Sequence, residues 1–159
     1  MRSLALIVTL FIFVSGCGLL PEVKDETVGW SANKLFTEAK EQLNSGNYEQ
    51  AISYYEKLES RYPYGKFAQQ AQMDIAYAYW KSFEPASALA AADRFIKLHP
   101  NHPNVDYMYY LKGLINFNEN LGFMGHISQQ DMTERDPKGA RESFDAFKEL
   151  VTRFPDSKY

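Results

Sequence analysis

AISYYEKLESRYP, residues 51 to 63, decides the fold once it is laid over ALAAADRFIKLHP at 88 to 100 and SFDAFKELVTRFP at 143 to 155. Each segment opens on a small residue (Ala51, Ala88, Ser143), carries Tyr55, Ala92 or Phe147 four positions later, and reaches proline eight positions after that. The first two prolines, Pro63 and Pro100, stand 37 apart. Apolar residues at three- and four-residue spacing line one face of a helix, and a small residue on that face lets a neighbouring helix approach. Proline lacks an amide donor and disfavours helical geometry in the residue before it. The spacing therefore predicts helices that stop near Arg61, Leu98 and Arg153.

A partner helix precedes each segment. ANKLFTEAKEQL (32 to 43) puts Leu35, Ala39 and Leu43 on one face, and Gly46 then ends it while Asn47, with Gln50 three positions on, has the form of a capping box. AQQAQMDIAYAYW (68 to 80) packs through Ala68, Ala71, Ile75, Ala76 and Tyr79, and Pro85 suits the first turn of the helix after it. VDYMYYLKGLINF (105 to 117) carries Gly113 at the small-residue position. The pattern resembles the tetratricopeptide (TPR) repeat, in which A-x-x-x-F and a closing proline recur with a nominal period of 34. The resemblance implies an all-α fold, a TPR α-solenoid of about three helix-pair repeats at about 31–64, 65–101 and 104–155.

The third repeat is longer than the others. Ala39 and Ala76 each lie 24 positions before their closing prolines, whereas Gly113 lies 42 before Pro155, so about 18 residues are inserted. NLGFMGHISQQDMTERDP (120 to 137) has the glycines and polar residues of a loop, which places the insertion at 119–136, with Asp136-Pro137 restarting the helix. At the end, Pro155-x-x-x-Tyr159 repeats the spacing of Pro63-x-x-x-Phe67. A solenoid needs a polar terminal cap, so the chain reads as an N-terminal fragment truncated within its TPR domain, 31–159.

Residues 1–16 have the layout of a secretory signal: Arg2, an apolar run from Leu4 to Val14, then Ser15 and Gly16. Cys17 is the single cysteine, which excludes an internal disulfide. Val14-Ser15-Gly16-Cys17 resembles the bacterial lipobox. That resemblance implies cleavage after Gly16, an S-diacylglycerol and an N-palmitoyl group on Cys17, and, from Gly18 in place of aspartate, sorting to the outer membrane. Several acyl chains hold stably where one is marginal. Residues 17–30 read as the lipidated N-terminus and an extended tether.

Removing residues 1–16 takes one base from the 17 and none of the 20 acids, leaving a net charge of 16 − 20, or −4. That balance, without a basic tract, argues against nucleic-acid binding. His99 and His102 lie in a proline-broken turn and His126 lies in the insertion, so no metal site is expected. Asp131, Glu134 and Asp136 alternate with bases as in a solvated loop, acids such as Asp74 are dispersed, and no nucleophile elbow or phosphate loop occurs. The chain reads as a non-enzyme without a cofactor other than the covalent lipid.

Aromatic content of 15%, with 11 Tyr and 11 Phe, calls for a core or a binding surface. In a TPR stack the first helix of each repeat lines a concave groove. By repeat register the groove positions are Phe36 and Lys40, then Met73, Tyr77 and Trp80, then Tyr107, Tyr110 and Phe117. Rings there suit a peptide with aromatic side chains, and Lys40 suits its carboxylate.

The lipobox, the tether and repeats closing in RYPYGKFA, HPNHPNVDY and RFPDSKY together resemble the BamD family, the ComL-type lipoproteins of the outer-membrane β-barrel assembly (BAM) machinery. EAKEQLNSGNYEQAISYYEKLESRYPYG and DPKGARESFDAFKELVTRFPDSKY are the closest stretches, and the family shares the long loop. Membership implies a scaffold anchored by lipid on the periplasmic face of the outer membrane in a Gram-negative bacterium. Its partners would be a BamA-type barrel protein, accessory lipoproteins and the C-terminal segments of unfolded outer-membrane proteins. The alternative is a TPR lipoprotein that organises peptidoglycan or cell division, or serves competence.

Overall fold

The computed structural model describes residues 25–119 and 138–159; Cys17, most of the 119–136 insertion, His126 and the Asp136-Pro137 restart lie outside them. Six α-helices are described: α1 (Ala32–Asn44), α2 (Tyr48–Arg61), α3 (Lys66–Lys81), α4 (Pro85–Leu98), α5 (Val105–Glu119) and α6 (Lys138–Arg153). No strand occurs among the described residues, and no helix there is long and apolar enough to cross a membrane. The helices before the three prolines end at Arg61, Leu98 and Arg153, where the loss of the amide donor predicts.

Helix starts follow local chemistry less uniformly. Ser31 caps α1 by accepting the Lys34 N–H at 3.2 Å, and Pro85 occupies the first turn of α4. The capping box at Asn47 does not form. Its side-chain amide instead donates to Gln42 Oε1 at 2.9 Å, across the turn that Gly46 makes at φ +84°. Phe83, 37 residues after Gly46, occupies the same left-handed turn at φ 62° without glycine's freedom, at a strain of roughly 1–2 kcal/mol.

Antiparallel pairs form within each repeat (α1 with α2, α3 with α4, α5 with α6), and α2 and α4 each pack on the first helix of the next repeat. First helices also touch one another, α1 with α3 and α3 with α5, whereas comparable contacts between second helices are absent among the described residues. The stack is therefore tighter on the first-helix side, which makes that side the concave one. Leu35, Ala39, Tyr55, Leu58, Ala71, Ala76, Ala88, Ala92 and Phe95 form a continuous core that reaches α5 through Met108, Leu111 and Ile115, and Val105, Tyr109 and Leu150 form a second buried cluster between α5 and α6. Ala39, Ala51, Ala71, Ala76, Ala88 and Ala92 are fully buried in the core, and at Gly113 an added Cβ would strike the Phe147 ring, so small side chains are what this packing accommodates.

Residues 25–30, expected to be the end of an extended tether, instead form turns docked on α2. Asp25 accepts from Lys57 Nζ at 2.9 Å and from Arg61, while Thr27 is buried, its hydroxyl donating to Asp25 Oδ1 at 2.7 Å. The Trp30 ring packs on Tyr54 at 5.7 Å. The reversal has a physical reason: two cations on the last turns of α2 offer the Asp25 carboxylate partners that no isolated tether would have.

The Lys57 ammonium and the Thr27 donors hold the Asp25 carboxyl well below its ordinary 3.8. A depressed folded-state pKa means that the contribution is present above 3.8 and is lost as pH falls below it. Asp25→Ala should accordingly lower the melting temperature at pH 7, and the gap to the wild type should shrink as pH drops from 4 towards 2. Melting curves of both chains across that range check it; a gap independent of pH would remove the electrostatic account of this docking.

Candidate peptide-binding groove

The groove positions named from the register divide into three sets in the structure. Tyr77, Trp80, Tyr107 and Tyr110 are half-buried on the first-helix side, and Phe117 is exposed. Tyr77 and Trp80 meet edge to face at 5.8 Å. Tyr107 lies within electrostatic reach of Asp74, Tyr77, Tyr159 and Tyr110, and burial, followed by those neighbours, pushes its phenol above the ordinary range. The rings of α3 and α5 thus form one contiguous aromatic face.

Two positions belong to packing instead. Met73 is 2% exposed and cannot reach a ligand. Phe36 is wedged between repeats, 5.9 Å from Tyr55 and 5.3 Å from Phe67. Phe36, Met73 and Tyr110 recur at 37-residue intervals, and Tyr110 likewise stacks on a later ring, Tyr159, at 5.1 Å. Phe36 and Tyr110 thus each reach a ring in the segment that follows their repeat, Phe67 and Tyr159, while Tyr110 also meets Phe147 at 6.0 Å and Met73 is enclosed in the core. Counting one helical face away from the core could not separate those contacts from the open groove.

Lys40 also has a different role from the one expected. Its ammonium donates to Asp74 Oδ2 at 3.1 Å, so its charge is already balanced and offers no free hook for a peptide carboxylate. The same Asp74 oxygen accepts the Tyr55 hydroxyl at 2.8 Å, and Asp74 Oδ1 accepts Gln70 Nε2 at 3.1 Å. Burial, reinforced by Asp74, keeps the Tyr55 phenol protonated far above its ordinary 10. The floor of the groove is a closed polar network joining α1, α2 and α3, with the acid buried rather than presented.

Sequence reading did not single out Tyr159 for this face. Its ring lies 5.4 Å from Tyr107 as well as on Tyr110, and the segment is tied down where Ser157 Oγ donates to Asp106 Oδ2 at 2.7 Å. The match of Pro155-x-x-x-Tyr159 to Pro63-x-x-x-Phe67 was the available signal, since Phe67 covers Phe36 in the same way. His99 and His102 pack as turn residues: His99 Nε2 meets Gln72 Oε1 at 2.8 Å, and both rings lie against Phe95. Burial holds the His102 pKa below its ordinary value, with His99 adding to the effect.

A family model described as tetratricopeptide repeat matches residues 23–159. The chain belongs to the tetratricopeptide repeat family. Similar proteins include outer membrane protein assembly factor BamD of Neisseria meningitidis serogroup B, 49% identical over 162 residues, covering 100% of this chain and 61% of that protein. The BamD of Vibrio cholerae is 36% identical over 144 residues, covering 91% of this chain and 58% of its own. The BamD of Xylella fastidiosa strain Temecula1 is 33% identical over 156 residues, covering 98% and 53%. This TPR chain thus spans roughly half to three fifths of the length of these curated relatives.

Proposed function

We propose that the protein is a scaffold subunit of the outer-membrane β-barrel assembly complex. It is held on the periplasmic face by lipid on Cys17 and works by binding rather than by catalysis. The observation that carries this reading is 49% identity, across the whole of this chain, to a protein named an outer membrane protein assembly factor. Its partners are a BamA-type barrel protein, accessory lipoproteins and the C-terminal segments of unfolded outer-membrane proteins. The aromatic face of α3 and α5 supports the last of these. Tyrosine and tryptophan provide large contact area at small entropic cost, and a neutralised floor leaves ring packing, not charge, to hold the peptide.

Two measurements test it. Pull-down of the full-length lipoprotein from outer membranes should recover the barrel subunit; recovery with the cell-wall sacculus instead would favour a role at peptidoglycan. For the groove, Tyr77→Ala with Trp80→Ala should weaken binding of a peptide ending in phenylalanine by about tenfold or more, the loss expected of central aromatic contacts. Unchanged affinity in a variant with wild-type helicity would remove the groove from the reading and leave the scaffold role standing.

A further inference from the structure

One end of the stack, formed by the docked turn before α1 and the turn between α2 and α3, presents a surface that packing does not explain. Val28 is 75% exposed and Tyr64 91% exposed. The Tyr62 hydroxyl donates to Trp30 O at 2.9 Å, which fixes the two turns beside each other. The fold does not require an aromatic ring at Tyr64. Stepping 37 and 92 residues along the repeats, the same turn position holds Asn101 and Asp156, both polar.

Two lysines frame these residues. Lys34 Nζ lies 4.2 Å over the Trp30 ring and Lys66 Nζ 5.3 Å over Phe67. Neither takes part in an ion pair among the described residues. Asp25 is engaged by Lys57 and Arg61, which leaves Glu26 as the exposed acid on the turn. Tyrosine and tryptophan with lysine close by is the composition of a membrane–water interface, where amphipathic rings sit at headgroup level and ammonium groups meet lipid phosphates.

The covalent distance to Cys17 points to the same partner. Cys17 and Asp25 are eight residues apart, a reach of at most ~29 Å even when fully extended. Asp25 is fixed to α2, so a lipid on Cys17 keeps this end of the stack within that distance of the bilayer and raises its effective concentration at the surface.

We propose that this end of the first repeat is a lipid-contacting surface, with Tyr64 and Val28 in the headgroup layer and Lys34 and Lys66 on phosphates. This rests on the reading of Cys17 as the acylated N-terminus. The anchor then does more than retain the protein: the docked turn gives the solenoid a defined orientation, first repeat against the membrane and third repeat farther from it.

The test uses the lipoprotein purified from cells and reconstituted into vesicles of phosphatidylethanolamine and phosphatidylglycerol, some with acyl chains brominated near the carbonyl. In a background carrying Trp30→Phe and Trp80→Phe, which removes both native tryptophans, Tyr64→Trp adds a reporter on the surface, and Phe144→Trp adds one at an exposed site on α6. The reporter at 64 should be blue-shifted and lose most of its emission in brominated vesicles, and the one at 144 should not. Lys34→Glu with Lys66→Glu should restore emission at 64 while the protein still floats with the vesicles. If mass spectrometry finds lipid on Cys17 and the reporter at 64 is no more quenched than that at 144, the surface is overturned and the anchor stands. An unmodified Cys17 in protein that fails to float overturns the anchor, and the surface with it.

Discussion

Asp74→Ala should destabilise the domain by about 3 kcal/mol and lower its melting temperature by about 10 °C. The Tyr55 hydroxyl is the reason. Tyr55 is fully buried, donates to Asp74 at 2.8 Å, and is held protonated by its surroundings, so it remains a donor throughout the accessible pH range. Deleting the acceptor strands that donor in the core, a cost of about 1–3 kcal/mol, and empties the volume of a carboxyl group that is only 10% exposed. The loss at Lys40 is smaller, because its side chain is 42% exposed and can turn to water.

Asp74→Asn separates these effects. The amide oxygen still accepts from Tyr55 while the pairing with Lys40 loses its charge, so about 1 kcal/mol should be lost. Urea denaturation of the two variants and of Tyr55→Phe measures the pattern. Equal losses from Asp74→Ala and Asp74→Asn would mean that charge, and not satisfaction of the buried hydroxyl, is what the network contributes. Because the network joins α1, α2 and α3, its loss should raise hydrogen exchange in the first two repeats before the third.

Gly113→Val should cost about 3 kcal/mol and release α6 from α5. A Cβ at Gly113 would fall 2.4 Å from the Phe147 ring, inside any contact that carbon atoms tolerate. The two helices are also held there by Ser143 Oγ, which donates to Gly113 O at 2.9 Å. Gly113→Ala should cost less, about 1 kcal/mol net. Overpacking of about 1–3 kcal/mol is partly offset by the roughly 1 kcal/mol gain of alanine over glycine in a helix. Phe147→Ala removes the ring that a Cβ would strike, so the double variant with Gly113→Val should recover at least about 1 kcal/mol relative to additive losses. Strict additivity would place the strain elsewhere in the third repeat.

The glycine is also informative about the repeat. Ala39 and Ala76 hold the equivalent positions with no exposure. In the first repeat the facing aromatic, Tyr55, lies against Phe36 and hands its hydroxyl to Asp74. In the second the facing residue is only Ala92. Phe147 has no hydroxyl to direct it elsewhere and lies over α5 itself, which leaves room for a hydrogen alone.

Helix identity and helix ends could be read from the chain because they depend on local physics. Three- and four-residue apolar spacing, and the missing amide donor of proline, act within a turn or two of the residue concerned. The half-buried rings Tyr77, Trp80, Tyr107 and Tyr110 could be assigned to the first-helix side for the same reason. Met73, Phe36 and Lys40 could not be placed correctly. Whether a side chain on that side meets solvent, the next repeat or a buried carboxylate depends on how closely successive first helices approach, and no spacing along one helix encodes that distance.

The sequence by itself determined a helical-repeat protein: three small-to-proline segments in register, a helix stop before each proline, and small residues at each close crossing. Those features are set by backbone geometry and by periodicity within single helices. Only the tertiary structure decided that Asp25 to Trp30 belong to the folded body, that Asp74 is a buried hub and not a groove acid, and that Lys40 is already paired. These outcomes turn on partners 19 to 36 residues away in the chain, brought together by the stacking of one repeat on the next.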